Sequence, residues 1–134
     1  MAKITDIEGI GSKYAELLAK EGIKTVEGLL KAGSKSKDRK KISEALQIPD
    51  KLILEWVNHA DLFRIKGIGE EYSDLLEEAG VDTVPELAQR NPANLLEKMQ
   101  EINGQKKLVR RLPVLSQIDS WVKHAKYLPR IIEY

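Results

Sequence analysis

The sequence has no cysteine, which excludes disulfides and cysteine metal sites. Aromatic residues are scarce: one Phe, two Trp and four Tyr among 134 residues. A core must therefore come mainly from Leu, Ile, Val and Ala. No apolar run approaches the roughly 18 residues of a membrane span. The opening stretch, Met1 to Asp6, has no apolar signal-peptide region. A cytoplasmic protein with no membrane partner is the expectation. Net charge is only +1, so nothing draws the chain in bulk to polyanions.

The charge is unevenly placed. Residues 31–41 set Lys31, Lys35, Lys37, Arg39, Lys40 and Lys41 against Asp38. Residues 66–104 hold nine acidic and three basic side chains, and residues 105–134 hold seven basic and two acidic. Two basic segments thus flank an acidic one. Such patches either solvate helix faces or steer a charged partner.

What the chain has in abundance is itself. Ile7-Glu8-Gly9-Ile10-Gly11-Ser12-Lys13-Tyr14 returns 58 positions later as Ile65-Lys66-Gly67-Ile68-Gly69-Glu70-Glu71-Tyr72. Residues 7–30 and 65–88 share 11 of 24 residues without a gap, which marks an internal duplication. Trp56-Val57-Asn58-His59-Ala60 matches Trp121-Val122-Lys123-His124-Ala125 at a spacing of 65. About seven residues must be inserted between, most simply around Asn103 to Leu112.

Helical periodicity runs throughout. Tyr14, Leu17 and Leu18 mark a helix over Ser12–Glu21, and Tyr72, Leu75 and Leu76 mark one over Glu70–Ala79. Gly22 and Gly80 end them. Thr25 caps a short helix to Ala32, and Thr83 with Glu86 has the form of a capping box. A basic helix follows from about Lys35 to Leu46. Asn91-Pro92 starts a helix that Asn103-Gly104 should end. Two longer helices bury Leu52, Ile53, Trp56, Val57 and Ala60, and Leu115, Ile118, Trp121, Val122 and Ala125. The expected fold is all-α: two tandem repeats of about four helices, packed with pseudo-two-fold symmetry. The repeats are 1–63 and 64–134, within one compact domain.

The pattern apolar-x-Gly-apolar-Gly-x-x-Tyr-x-x-Leu-Leu resembles the helix-hairpin-helix signature. Gly9 and Gly67 permit a tight turn with φ > 0. Ile10 and Ile68 plug the space between helices. Gly11 and Gly69 leave the next helix's first N–H groups uncovered, which suits a nucleic-acid phosphate. The whole chain resembles more specifically a bacterial tandem helix-hairpin-helix family catalogued as domain of unknown function 4332. In helix-hairpin-helix proteins that bind DNA, a basic residue usually follows the second Gly. Lys13 fits, whereas Glu70 and Glu71 depart from it.

The expected function is a non-enzymatic binding module for the phosphate backbone of double-stranded DNA. The candidate contacts are Gly9, Gly11, Ser12 and Lys13, with Lys35, Lys37, Arg39, Lys40 and Lys41 as a basic flank. Lys66, Gly67 and Gly69 form a weaker second set, and Lys106, Lys107, Arg110 and Arg111 a possible second flank. The alternative is a protein-interaction or self-association scaffold using the acidic second hairpin. No catalytic residue, metal or cofactor is expected. The acids of the second repeat follow one exposed helix face and do not converge as a two-metal site requires. His59 and His124 read as core-edge side chains bonded to nearby carbonyls, unless the pseudo-axis pairs them.

Overall fold

The computed structural model describes residues 2–134; Met1 lies outside them. The described residues are helical and contain no strand. A 3-10 helix, Ile4–Asp6, precedes eight α-helices: α1 Ser12–Lys20, α2 Val26–Ala32, α3 Ser36–Leu46, α4 Asp50–Leu62, α5 Glu70–Glu78, α6 Val84–Ala88, α7 Pro92–Lys106 and α8 Leu115–Tyr127. One isolated antiparallel bridge pairs Lys3 with Thr25. Among the described residues no helix is long and apolar enough to cross a membrane.

The chain divides into two compact units. The first runs to Asp61 and takes in Ile131–Tyr134; the second is Leu62–Arg130. The last four residues therefore belong with the first repeat, not the second.

In the first unit, α1 buries Leu18 completely. Its end is a Schellman motif: the Ile23 N–H donates to the Leu18 carbonyl and the Gly22 N–H to that of Ala19. Ile23 is buried there as the accompanying apolar contact. Thr25 caps α2, its hydroxyl accepting from the Gly28 N–H at 3.0 Å. Ile53, Trp56, Val57 and Ala60 on α4 are buried, while Leu52 is half-buried. Gly33 lets the end of α2 close onto α4. A Cβ there would lie 2.5 Å from Val57 Cγ2, well inside contact distance.

The second unit repeats these devices. Val81 donates to Leu76 and Gly80 to Glu77 in a second Schellman motif. Its core draws on Leu75, Leu76, Val84, Leu87, Leu95, Met99, Ile118 and Trp121. Helix α8 packs against α6 and α7, and α7 against α5.

Three local expectations fail in this unit. First, Thr83 makes no side-chain cap bond. Pro85 has removed one N–H that it would cap, and the Glu86 carboxylate instead receives Arg90 Nε and an Arg90 terminal nitrogen at 3.1 and 2.8 Å. Second, α7 runs through Asn103 and Gly104 to Lys106 and ends at Lys107 in the left-handed region, φ 52°. Asn103 turns the chain after the helix end rather than ending the helix. Its side chain donates to the Val109 carbonyl at 3.3 Å and accepts from the Val109 N–H at 3.0 Å. Third, Leu115, the first residue of α8, is 47% exposed and lines an open pocket with Asn91, Pro92 and Ala93.

The inserted residues are also spread differently. The spacing between copies is 56 at the caps Lys35 and Asn91, 60 at the left-handed Gln47 and Lys107, and 65 at the tryptophans. Helix α7 has 15 residues against 11 in α3, and the loop after it is longer as well.

Two glycine substitutions should move stability in opposite directions. Gly33→Ala drives a methyl into Val57 and should cost about 1–3 kcal/mol. Gly104→Ala, in the last turn of α7 with no atom within 4 Å of the new methyl, should stabilise by up to about 0.5–1 kcal/mol. Urea denaturation of both variants checks the pair; a destabilised Gly104→Ala would contradict the helix end at Lys107.

Candidate nucleic-acid interface

Each unit opens on the same turn. The Ile10 N–H donates to the Ile7 carbonyl at 3.1 Å, and Ile68 to Ile65 at 3.1 Å. Within these turns Gly9 has φ 94° and Gly67 φ 96°, the left-handed conformation that a Cβ opposes. Space is tight for a side chain as well. A Cβ on Gly9 would lie 3.3 Å from Trp56 Nε1, and one on Gly67 3.1 Å from Trp121 Nε1. Tyr14 packs on Trp56 at a centroid distance of 5.0 Å and 58°, and Tyr72 on Trp121 at 5.2 Å and 54°. These tilted pairs bury both indoles and fix where the following helix begins.

That helix start differs between the units. Gly11 is the N-cap of α1, with no side-chain cap bond and no acidic residue in the first turn. Nothing lies within 4 Å of the place its Cβ would take. Ser12 and Lys13 are exposed beside it. The first N–H groups and the positive end of the helix dipole thus face outward uncovered by any side chain. Gly69 caps α5 in the same way, but Glu70 and Glu71 occupy its first turn. Lys66 is exposed, and its backbone N–H donates to His124 Nδ1 at 3.4 Å. His124 is therefore bonded to an N–H rather than to the expected carbonyl. His59 is buried, as are both tryptophans.

The basic flank on α3 separates into two faces. Lys37, Lys40 and Lys41 share an exposed face, with Lys35 exposed at the N-cap. Among the described residues none of these, nor Lys13, is in an ion pair. Arg39 lies on the opposite face with Ile42 and Leu46 and is only 4% exposed. One of its terminal nitrogens donates to the carbonyls of Gly33 and Ser34 at 2.8 and 3.1 Å. The other donates to the Glu133 carbonyl at 2.8 Å. Arg39 is thus a buried structural cation and is removed from the candidate contacts. Its spacing of three and seven from Ile42 and Leu46 was the available signal.

In the second unit the basic segment meets acids of α5 at the surface. Lys106 Nζ meets Glu78 at 2.7 Å and Arg110 Nε meets Glu71 at 3.9 Å. The Tyr72 hydroxyl donates to the Arg111 carbonyl at 3.1 Å. The inserted loop so lies along α5 and offsets part of its charge. Nearby, burial pushes the Asp82 carboxyl above its ordinary value against a bond from its own backbone; Glu86 and Glu77 add to the rise and Arg90 opposes it.

The described residues thus define an all-helical protein of two units, each built on a glycine turn seated against a tryptophan. A family model described as domain of unknown function (DUF4332) matches residues 8–128, and the chain belongs to that family. No curated protein and no solved structure matches it.

The two faces of α3 should respond differently to substitution. Arg39→Met leaves the Gly33 and Glu133 carbonyls without their arginine donor and should cost about 1–3 kcal/mol. Lys40→Met should stay within about 0.5 kcal/mol. Equal melting temperatures for the two variants would contradict the structural role of Arg39.

Proposed function

We propose that the protein is a non-enzymatic, sequence-independent binder of double-stranded DNA, acting through the first unit. In this reading the Gly-Ile-Gly turns are helix-hairpin-helix elements. The α1 N-terminus, from Gly11 to Lys13, receives a backbone phosphate. Lys35, Lys37, Lys40 and Lys41 attract the same polyanion. The observation that carries the reading is a contrast within one chain. In the first unit an uncapped helix start, free of acids, accompanies five exposed lysines outside any ion pair. In the second, Glu70 and Glu71 sit in the first turn, where Glu71 meets Arg110, and Glu78 at the far end of the helix meets Lys106.

A protein partner or a second copy on the acidic α5 face is the less supported alternative. Glu71 and Glu78 already meet basic groups of their own unit. Lys66, Gly67 and Gly69 accordingly contribute little to DNA binding in this reading.

Fluorescence anisotropy on a labelled duplex tests the proposal. Binding is expected at about 10 µM protein in 50 mM salt. If four or five phosphates are neutralised, log K falls against log salt with a slope of about −4. Lys13→Glu, and separately Lys37→Glu with Lys41→Glu, should each weaken binding at least tenfold, while Lys66→Glu should change it less than threefold. No binding under these conditions, or equal losses from all three, overturns the reading.

A further inference from the structure

The carboxyl-terminal segment of the described chain meets the first unit as a ligand meets a site. After α8 the chain has no regular structure, and Ile131–Tyr134 belongs to the first unit. Glu133 engages the unit through both of its backbone groups. The Glu133 N–H donates to the Ser34 carbonyl at 2.7 Å. The Glu133 carbonyl accepts from Arg39 at 2.8 Å. Arg39 also reaches the Ser34 carbonyl at 3.1 Å, so the three groups close a ring. Ile132 is buried to 2% exposure, while the neighbouring Tyr134 is 63% exposed. The Tyr134 hydroxyl donates to Asn58 at 3.4 Å.

A clamp on both backbone groups of one residue, with one adjacent apolar side chain sunk in the protein, is how extended peptides are recognised. Arg39 makes the site distinctive. It is a buried guanidinium with no carboxylate partner among the described residues, neutralised by carbonyl dipoles. One of its three acceptors comes from the segment. Counted from either end of α7, the equivalent residue in the second unit is apolar, Leu95 or Met99. The device therefore belongs to the first unit alone.

We propose that the Gly33–Arg39 corner is a peptide-docking site, occupied in cis by Ile131–Tyr134. Its ligand class is an extended segment with an aliphatic side chain followed by a residue whose N–H and carbonyl are both available. Tethering gives the cis segment an effective concentration in the millimolar range, so it excludes a free peptide of modest affinity. The site uses none of the α1 residues proposed to hold a phosphate, and Lys35 and Lys37, which lie within the corner, take no part in its clamp.

A full-length chain carrying Ile132→Asp releases the segment and leaves the site to a competitor. The probe is a fluorescent synthetic peptide of residues 128–134. It should bind the Ile132→Asp chain at least tenfold more tightly than the wild-type chain, whose site is filled. Adding Arg39→Met should abolish that gain, and a peptide with Glu133→Pro, which lacks the clamped N–H, should not bind. If Ile132→Asp prevents folding, Glu133→Pro in the full chain loosens the segment by removing a single hydrogen bond. Equal peptide binding by wild-type and released chains, or binding indifferent to Arg39→Met, overturns the proposal.

Discussion

A glycine in the left-handed region rests against the nitrogen edge of a buried indole, and this contact occurs twice. Gly9 meets Trp56 and Gly67 meets Trp121, in each case closely enough that a Cβ would crowd the indole nitrogen. The contact fixes a tight turn between the preceding segment and the next helix. Tyr14 and Tyr72 then pack on the same indoles and hold the first turn of α1 and of α5. In the first unit the next residue of α4, Val57, receives Gly33. Adjacent residues of one helix therefore set both the glycine turn and the corner before α3. Arg39 ties that corner to the returning segment through carbonyls alone.

With the backbone fixed in this way, the two units are free to differ in charge. Ser12 and Lys13 become Glu70 and Glu71 without altering the turn, because all four side chains are exposed and lie outside the core. The second unit answers its acids with an inserted basic loop, whose Lys106 and Arg110 face Glu78 and Glu71. These pairs are exposed, and each contributes only tenths of a kcal/mol. Their consequence is electrostatic: Lys106 and Arg110 of the second unit are held by its own acids, whereas Lys13, Lys35, Lys37, Lys40 and Lys41 of the first remain outside ion pairs among the described residues. The functional reading follows from that asymmetry rather than from the shared turn.

Much of this was legible in the residues. The Gly, Tyr, Leu and Trp identities shared by the copies gave the helices nearly to the residue, since each is a packing or turn requirement read over a few positions. Arg39 was misread because composition grouped it with its lysine neighbours, although its spacing from Ile42 and Leu46 put it on the buried stripe. Gly104 was read as a helix end because glycine is enriched there, but Asn103 binds Val109 beyond the helix and lets the helix continue. The Thr83 box lost to a side-chain pair, Glu86 with Arg90. The docking of Ile131–Tyr134 on residues about a hundred positions earlier left no local pattern to read.

The central claim is that the first unit, and not the second, presents the phosphate-binding helix start. Amide chemical-shift mapping during titration with an unlabelled duplex tests it most directly. The account predicts that the N–H signals of Gly11, Ser12 and Lys13 and the exposed face of α3 shift together at low salt. Those of Gly69, Glu70 and Glu71 stay in place. Shifts centred on the second turn, or spread equally over both, would contradict it.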